Sequence, residues 1–439
     1  MKILLVGLDK LGSEYGGGQV YVQNLIDALL DNKQEVSYMS IAFAAVEAPE
    51  KVWSDYKSIN ELQLILPHAW QLQAGFSVTS DIAKTIVDVF KEIKPDTIHT
   101  HGWKEYISLA AYWCKIPCVV TAHHGGIVCP AGTLLNHNDE ICTIAAEQNN
   151  CLPCCVRSIP GRRMWLPFLR LMPIDFQLRL GRWLKKQRFI YFVTPLGTMV
   201  LSIRNKLDAV KTLGHYATHL VAPSHAIRDA LVRNGVPHEK VVVVPHGIPL
   251  PERKPLRPDF GKTPVRFLYV GRISYVKGLH VMLEAFENIA SDTYELHIVG
   301  GAVTKQEQRY LKKLKKRYEG VNAIWHGAVA HVEIVRHIAA CDLMIHPAIY
   351  LEVFGLTIAE ALATGRPVIA TRCGGAEIQI SDGENGLLVP PNDVRALAEK
   401  IKLLLSNRAE ISRMVANIKP PKSMEAHIQD LFAVYSNIA

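Results

Sequence analysis

Glu352 and Glu360 stand eight positions apart in YLEVFGLTIAEALATGRPVIA, residues 350–370, a run that otherwise reads like a protein interior. On one continuous helix eight residues rise about 12 Å and turn the second carboxylate well off the face of the first. Gly355 breaks the pattern, and Leu356, Ala359, Leu362 and Ala363 then recur at amphipathic spacing. This predicts a helix that starts near Leu356 and stops at Gly365. Glu352 then lies in the loop before the helix and Glu360 on it. RPVIA follows as a short buried strand and CDLMIHP precedes as another. Loops that leave strand ends and feed helix N-termini bind ligands in α/β proteins, and the N–H groups there favour anions such as phosphate. From these residues alone an equal reading has Glu360 capping or solvating a helix and Glu352 sitting in a polar loop.

A second concentration of chemistry is sulfur. Five of the nine cysteines fall in one window, Cys129, Cys142, Cys151, Cys154 and Cys155. Cys151 and Cys154 form a C-x-x-C, and with Cys129 and Cys142 they make a set of four thiolates suited to a tetrahedral structural zinc bracing a loop, with Cys155 spare. Disulfides, free thiols and an iron–sulfur cluster are the alternatives; a reducing cytoplasm disfavours the first. No Asp-x-Asp occurs anywhere in the chain. A divalent ion bridging phosphates therefore has no evident ligands, and no catalytic metal is expected.

The elements that must position these residues alternate twice. The strand candidates KILLVG, EVSYMSI, DTIHTH, CVVTAHH, HLVAPS and KVVVVPHG are separated by helical patterns such as QVYVQNLIDALLDN and HAIRDALVRNG, which reads as a parallel α/β sheet. After the Pro- and Arg-rich residues 248–264 the series restarts with VRFLYVG, YELHIVGG, NAIWHG, DLMIHP and PVIATR. At 439 residues and 49% hydrophobic content the chain suits two ordered domains. The division expected is a first domain over 1–250 with an insertion at 124–192, a second over 264–410, and a helical tail over 411–439 that packs on either domain. The opening MKILLVG reads as a strand followed by a glycine loop, not a signal peptide. No uncharged apolar run has the length of a membrane span, so a cytoplasmic location is expected.

In order along the chain, YGGGQVYVQNL, TAHH, APSHAIRDAL, VVPHGI, GRISYVKG, HGAVAHVEIVRHIAACDLMIHPA, EVFGLTIAEALATGRPVIATRCGG and DGENGLLVPPND resemble the retaining nucleotide-sugar glycosyltransferases of family 4. The resemblance covers nearly the whole chain. It implies the α/β GT-B fold, two Rossmann-like domains with parallel sheets facing each other across a cleft. It implies a UDP- or GDP-type sugar donor, with Glu360 on the ribose hydroxyls, Glu352 near the donor sugar, and backbone N–H groups of Phe354, Gly355, Leu356 and Thr357 on the diphosphate. Arg272 and Lys277 match the family's phosphate-binding cations, whose fixed charge stabilises a leaving diphosphate. Gly16, Gly17 and Gly18 allow close backbone approach to phosphate or sugar, and His123 matches the sugar-pocket histidine. Arg272, Lys277, Glu352 and His123 are the catalytic set so implied. Some relatives also carry a Cys-Pro six residues after that histidine, as Cys129-Pro130 stands here. Two departures matter: His124 stands where many relatives have Asp, and Ala376 alone separates Gly375 from Glu377 where relatives commonly have two residues. Neither His124 nor Glu377 takes a role from the resemblance.

The activity implied is transfer of a sugar to an acceptor hydroxyl with retention, in assembly of a cell-surface polysaccharide or glycoconjugate. A natural-product transferase with a small soluble acceptor, a GT-B phosphorylase and a non-catalytic nucleotide-sugar binder are the competitors. The acceptor is a glycan, a lipid-linked species or a small molecule. The net charge of +8 is concentrated: residues 157–188 hold nine Arg and Lys against Asp175 alone. Trp165, Phe168, Phe176 and Trp183 are interleaved with them. This basic, aromatic mixture suits an anionic membrane surface, with Arg162, Arg163, Arg182, Lys185 and Lys186 toward head groups. An insertion packed on the first domain with its arginines solvated is an equal reading, and nucleic acid ranks third, with none expected as partner.

Overall fold

A computed structural model of the chain describes residues 1–12, 16–74, 80–157, 166–186, 194–251 and 264–436. The chain divides into two compact units. The first takes Met1–His137, Thr143–Pro245 and Met424–Ala439; the second takes Asn138–Cys142 and His246–Ser423.

The first unit is built on eight strands: β1 (Lys2–Val6), β2 (Glu35–Ala44), β3 (Glu50–Tyr56), β4 (Ile59–Pro67), β5 (Thr97–Thr100), β6 (Cys118–Thr121), β7 (His219–Ala222) and β8 (Val241–Val243). Their order is β3-β4-β2-β1-β5-β6-β7-β8. Ile3, Leu4, Leu5 and Val6 of β1 are all buried, as a central strand covered on both faces requires. The sheet is not wholly parallel, as the sequence pattern suggests: β3 runs antiparallel to β4, with Tyr56 opposite Ile59. The turn between them holds Lys57 and Ser58 at φ 46° and 67°. A two-residue turn with both centres left-handed ordinarily carries Asn-Gly, and without that signature the hairpin is silent in the sequence.

The second unit carries β9 (Val265–Val270), β10 (Tyr294–Val299), β11 (Ala323–Gly327), β12 (Leu343–His346), β13 (Val368–Thr371) and β14 (Gly386–Val389), in the order β11-β10-β9-β12-β13-β14. Every pairing in it is parallel. In chain order this is 3-2-1-4-5-6, the doubly wound Rossmann arrangement. Both units are thus Rossmann-like α/β domains. In each the strand order reverses beside the first strand, between β1 and β5 and between β9 and β12. Ligands bind outside the carboxyl ends of strands at such points.

Two further elements matter. The helix Met424–Ser436 packs on the helix Gly17–Asp31 and buries His427, Leu431 and Tyr435 in the first unit. In the insertion, the helix Ile174–Lys186 lies on the helix Thr194–Tyr216. Gln177, Gly181 and Leu184 face inward, and Gln177 Nε2 donates to the carbonyls of Leu169 and Met172. Its outer face exposes Phe176, Arg179, Arg182 and Trp183, and Leu171 just before it is 84% exposed. Arg162, Arg163 and Trp165 fall outside the described residues, as do the side chains of Lys185 and Lys186. No described helix is long and apolar enough to cross a membrane.

Candidate active site

In the second unit a glycine lets the loops after β9 and β12 come together. Gly278 stands at φ 70°, and a Cβ on it would lie 1.8 Å from the carbonyl oxygen of Pro347. Only glycine lets the chain pass that close. Ile349 N–H then donates to Val276 O at 3.0 Å, which ties the segment bearing Lys277 to the segment leading into Glu352. As a result Lys277 Nζ lies 2.6 Å from Glu352 Oε2 and 5.2 Å from the centre of the Tyr350 ring. His346 Nε2, at the end of β12, lies 3.4 Å from the same oxygen. The backbone of Glu352 is held from both sides: its N–H donates to Cys373 O at 2.8 Å and its carbonyl accepts from Gly375 N–H at 2.9 Å.

Glu352 is therefore no polar-loop residue; it is 8% exposed. Burial acts to raise its pKa, but Lys277 and then His346 override it and hold the carboxyl well below the usual range. Burial likewise acts to lower Lys277, and Glu352 and Tyr350 overcome it, keeping the ammonium charged. A cation and an anion are thus fixed side by side at the strand-order reversal, where a buried pair with good geometry persists.

The predicted helix is Leu356–Ala363. Gly355 caps it at φ 81°, with no side chain accepting from its first N–H groups. Gly375 lies flat on the Phe354 backbone, where a Cβ would come within 2.6 Å, and Gln379 Nε2 donates to the Phe354 carbonyl. His246 packs edge-on against the Phe354 ring, centroids 5.3 Å apart, with Ile248 in the same apolar cluster. The segment 354–357 is thereby rigid, and its helix start is open to an anion. Glu360 Oε1 lies 2.9 Å from His331 Nε2, while Oε2 is buried without a hydrogen-bond partner. Arg272, by contrast, is 59% exposed in its side chain and lies 3.3 Å from Glu307, whose carboxylate also accepts from the N–H groups of Val303 and Thr304.

Glu377 Oε2 accepts from Gly374 N–H at 2.7 Å, so it closes its own loop. His346, Tyr350, Glu307 and His331 are the partners that the sequence left unassigned. Only His346 carried a signal, a histidine ending the apolar strand CDLMIHP.

In the first unit the expected pocket residue His123 sits in a net of imidazoles and phenols at the ends of β5 and β6. Its Nε2 is 2.7 Å from His101 Nδ1, and the edge of Tyr21 packs on it with centroids 5.1 Å apart. His99 bonds Tyr435 at 2.6 Å and Thr121 at 2.7 Å. Tyr21 OH meets His427 Nε2 at 2.7 Å, and His427 Nδ1 is 2.9 Å from the Pro245 carbonyl. Since a carbonyl only accepts, Nδ1 carries a proton toward Pro245, and Nε2 is the His427 atom that meets the Tyr21 hydroxyl. Burial, then His427, pushes His99 down to about 3. Burial, then Lys104 and Lys206, takes His124 down to about 4. His99 and His124 are therefore neutral at pH 7. Gly16 caps the helix Gly17–Asp31 at φ 86°, and Gly17 and Gly18 are exposed at its start.

The four cysteines expected to hold zinc are divided between the units: Cys129, Cys151 and Cys154 belong to the first and Cys142 to the second. Cys155, taken as spare, is the thiol that burial, then Cys151, Cys129 and Cys154, pushes up to about 12. Among the described residues no group of three or more His, Cys, Asp or Glu is placed to hold a metal ion.

Residues 252–420 match the family described as glycosyl transferases group 1, and residues 15–140 match glycosyltransferase family 4. The chain is 28% identical over 228 residues to a D-inositol 3-phosphate glycosyltransferase of Geodermatophilus obscurus, covering 48% of this chain and 50% of that one. It spans about half the length of that relative. An uncharacterised glycosyltransferase of Methanocaldococcus jannaschii is 23% identical over 282 residues, 57% of this chain and 72% of its own. Among solved structures, Anabaena HepE in complex with UDP and glucose superposes with a TM-score of 0.65 at 18% identity, over 99% of both chains. Sucrose-phosphate synthase from Thermosynechococcus elongatus gives 0.66 at 18% identity, over 100% of this chain and 99% of that one. With a family match in each half and the fold shared along the chain with solved structures, the chain has the GT-B fold and is similar to glycosyl transferases of group 1 over its second half and of family 4 over its first.

Proposed function

We propose that this protein moves a sugar from a nucleotide-diphosphate sugar to an acceptor hydroxyl with retention at the anomeric carbon, in assembly of a cell-surface polysaccharide or glycoconjugate. The observation that carries the reading is the buried Lys277–Glu352 pair beside the uncapped start of the helix Leu356–Ala363. Together they supply fixed positive charge for a diphosphate and an acid for the sugar it carries. Amides of residues 354–357 take the phosphates, Glu360 the ribose hydroxyls, and Arg272 turns from Glu307 to the leaving group. From the first unit, His123 and the backbone of Gly16–Gly18 serve the donor sugar. The bond from C1 to the diphosphate oxygen breaks, the acceptor oxygen bonds to C1 on the same face, and its proton passes to a phosphate oxygen. The side chains position the reactants and balance charge. No step is assigned to a metal.

A relative solved with UDP makes UDP the first nucleotide to test. A panel of UDP- and GDP-sugars, scored for nucleotide release with and without acceptor, tests the reading. Binding without turnover on any acceptor overturns it in favour of a nucleotide-sugar binder, and turnover that requires inorganic phosphate favours a phosphorylase.

The acceptor we propose is lipid-linked, with the protein peripheral on an anionic membrane. The outward Phe176 and Trp183, with Arg179 and Arg182 between them, support this, as does exposed Leu171. Sedimentation with anionic vesicles should rise with anionic lipid and fall with salt, because each surface cation contributes about 1 kcal/mol and is screened. If the wild type ignores such vesicles and glycosylates a small soluble acceptor, the natural-product reading replaces this one. A structural zinc on Cys129, Cys142, Cys151 and Cys154 is proposed as well, supported by the spacing of these cysteines in the sequence alone. Elemental analysis of protein purified under reducing conditions checks it, and absence of stoichiometric metal rejects it.

A further inference from the structure

Glu360 is the one charged residue on the helix Leu356–Ala363, and its side chain is 11% exposed. A carboxylate so far from water needs a donor on each oxygen. It has one on Oε1, where His331 Nε2 sits at 2.9 Å, while Oε2 is buried with no hydrogen-bond partner among the described residues. His331 is of another kind. It opens the helix His331–Ala340, its side chain is 48% exposed, and it reaches Glu360 from outside the core. A rotation about its side-chain bonds returns it to solvent.

A vicinal diol presents two O–H donors at a spacing that matches the two oxygens of one carboxylate. Glu360 has one oxygen ready for that geometry and the other occupied by a removable imidazole. We propose that His331 is a nucleotide-affinity-determining residue: it stands in for the ribose on Glu360 in the donor-free protein, and the ribose diol must displace it to bind. This inference rests on the proposed role of Glu360 as the ribose carboxylate.

A consequence concerns protons. The hydrogen bond that His331 donates to Glu360 raises the affinity of His331 for its proton, burial works against it, and Coulomb attraction to Glu360 adds to it. Glu360 is the one charged group acting on His331 among the described residues. Glu333, Arg336 and His337 on its own helix do not enter. Nor does Arg266 on β9, which packs against that helix and pairs with Asp342 at 3.3 Å. When the diol takes Glu360, His331 loses the partner that held its proton. Binding therefore releases a proton at pH values between the paired and ordinary histidine ranges, and donor affinity falls as pH is lowered through that window.

The test is calorimetric binding of UDP-glucose and GDP-mannose, whose diphosphate diesters do not titrate in the histidine range, from about pH 5 to 8. Wild type should bind whichever nucleotide it accepts more weakly toward acid, with a slope approaching about tenfold per pH unit. His331→Ala should flatten the slope and bind at acid pH at least as tightly as wild type does at alkaline pH. His331→Gln, which donates a hydrogen bond but does not titrate, should be flat with intermediate affinity. The 2′,3′-dideoxy form of the donor should bind weakly with no slope. Glu360→Ala separates the two claims. If it binds as tightly as wild type, the ribose role of Glu360 fails. If it binds weakly while wild type shows no slope, or while His331→Ala keeps the wild-type slope, Glu360 stands and the displacement by ribose is overturned.

Discussion

The two units share a strand pattern and place their candidate residues at the same point in it, yet they furnish that point with opposite chemistry. The second unit holds full charges: Lys277 against Glu352, Arg272 against Glu307, and Glu360 under His331. The first holds imidazoles and phenols in a hydrogen-bonded net, His101 on His123, His99 between Tyr435 and Thr121, and Tyr21 on His427. Under the function proposed above, the former suits a diphosphate leaving group and the latter a sugar carrying many hydroxyls. Each unit carries its own set: a charged half in the second and, around the neutral His99, a neutral half in the first.

The hardest blow to that contrast is Lys277→Met. It removes the charge proposed to face the leaving group, and steady-state turnover should then fall by about 10²–10³-fold, as for loss of one preorganised donor in an active site. It also strands a buried carboxylate, so stability should drop by about 3–5 kcal/mol in thermal or denaturant melts. Adding Glu352→Gln should recover most of the stability and none of the turnover. If the double variant turns over, the charged half is structural.

Much of this arrangement was legible in sequence, and the limit has a physical cause. The helix Leu356–Ala363 and its glycine start were readable because apolar periodicity and Gly355 are local signals. Strand β14, GLLV, went unread because four apolar residues are too short a run to separate from a loop. Charge pairing was invisible for another reason. Lys277 and Glu352 are 75 positions apart, and His331 and Glu360 are 29 apart. Their meeting is set by glycines that let loops touch, as Gly278 does on Pro347. The neutral net is less legible still: His427 and Tyr435 come from the last helix, 406 and 336 positions from Tyr21 and His99. No pattern near His123 announces them.

The neutral half breaks through an orphaned hydroxyl. His427→Leu leaves the buried Tyr21 O–H without its acceptor, a loss of about 1–3 kcal/mol. Tyr21→Phe combined with His427→Leu should restore the part of the loss that the Tyr21 hydroxyl carries, while the Pro245 carbonyl still lacks its donor. A double-mutant cycle in denaturant melts measures the coupling. Donor affinity in His427→Leu should change less than in Glu360→Ala.

Acid sharpens the comparison, because the two halves should fail in different windows. His99 has its folded pKa pushed down to about 3 from 6.5. Below 6.5 the unfolded chain binds a proton that the folded chain refuses, so this contribution is intact at neutral pH and is lost as pH falls, by about 2 kcal/mol near pH 5. Glu352, also depressed, contributes stability above the ordinary glutamate value of 4.5 and loses it only below that. Melts of His99→Gln should therefore be flatter than wild type between about pH 6.5 and 5, and those of Glu352→Gln flatter only at lower pH.

The smallest effect comes from the residue at the edge of the charged half that takes no part in it. Glu377 lies two residues beyond the glycine pair, after Ala376, and its Oε2 accepts from Gly374 N–H at 2.7 Å. That bond shapes the loop whose next residue, Gly375, seats the Phe354 backbone, so the acid acts on the site through geometry alone. Glu377→Gln keeps an acceptor oxygen at the same reach and should melt as wild type does. Glu377→Ala should cost about 1 kcal/mol, the net worth of one hydrogen bond, with donor Kd shifted by less than about threefold. If Glu377→Gln instead weakens donor binding as strongly as Glu360→Ala while melting normally, its charge faces the donor, and the boundary of the charged half must be redrawn to include it.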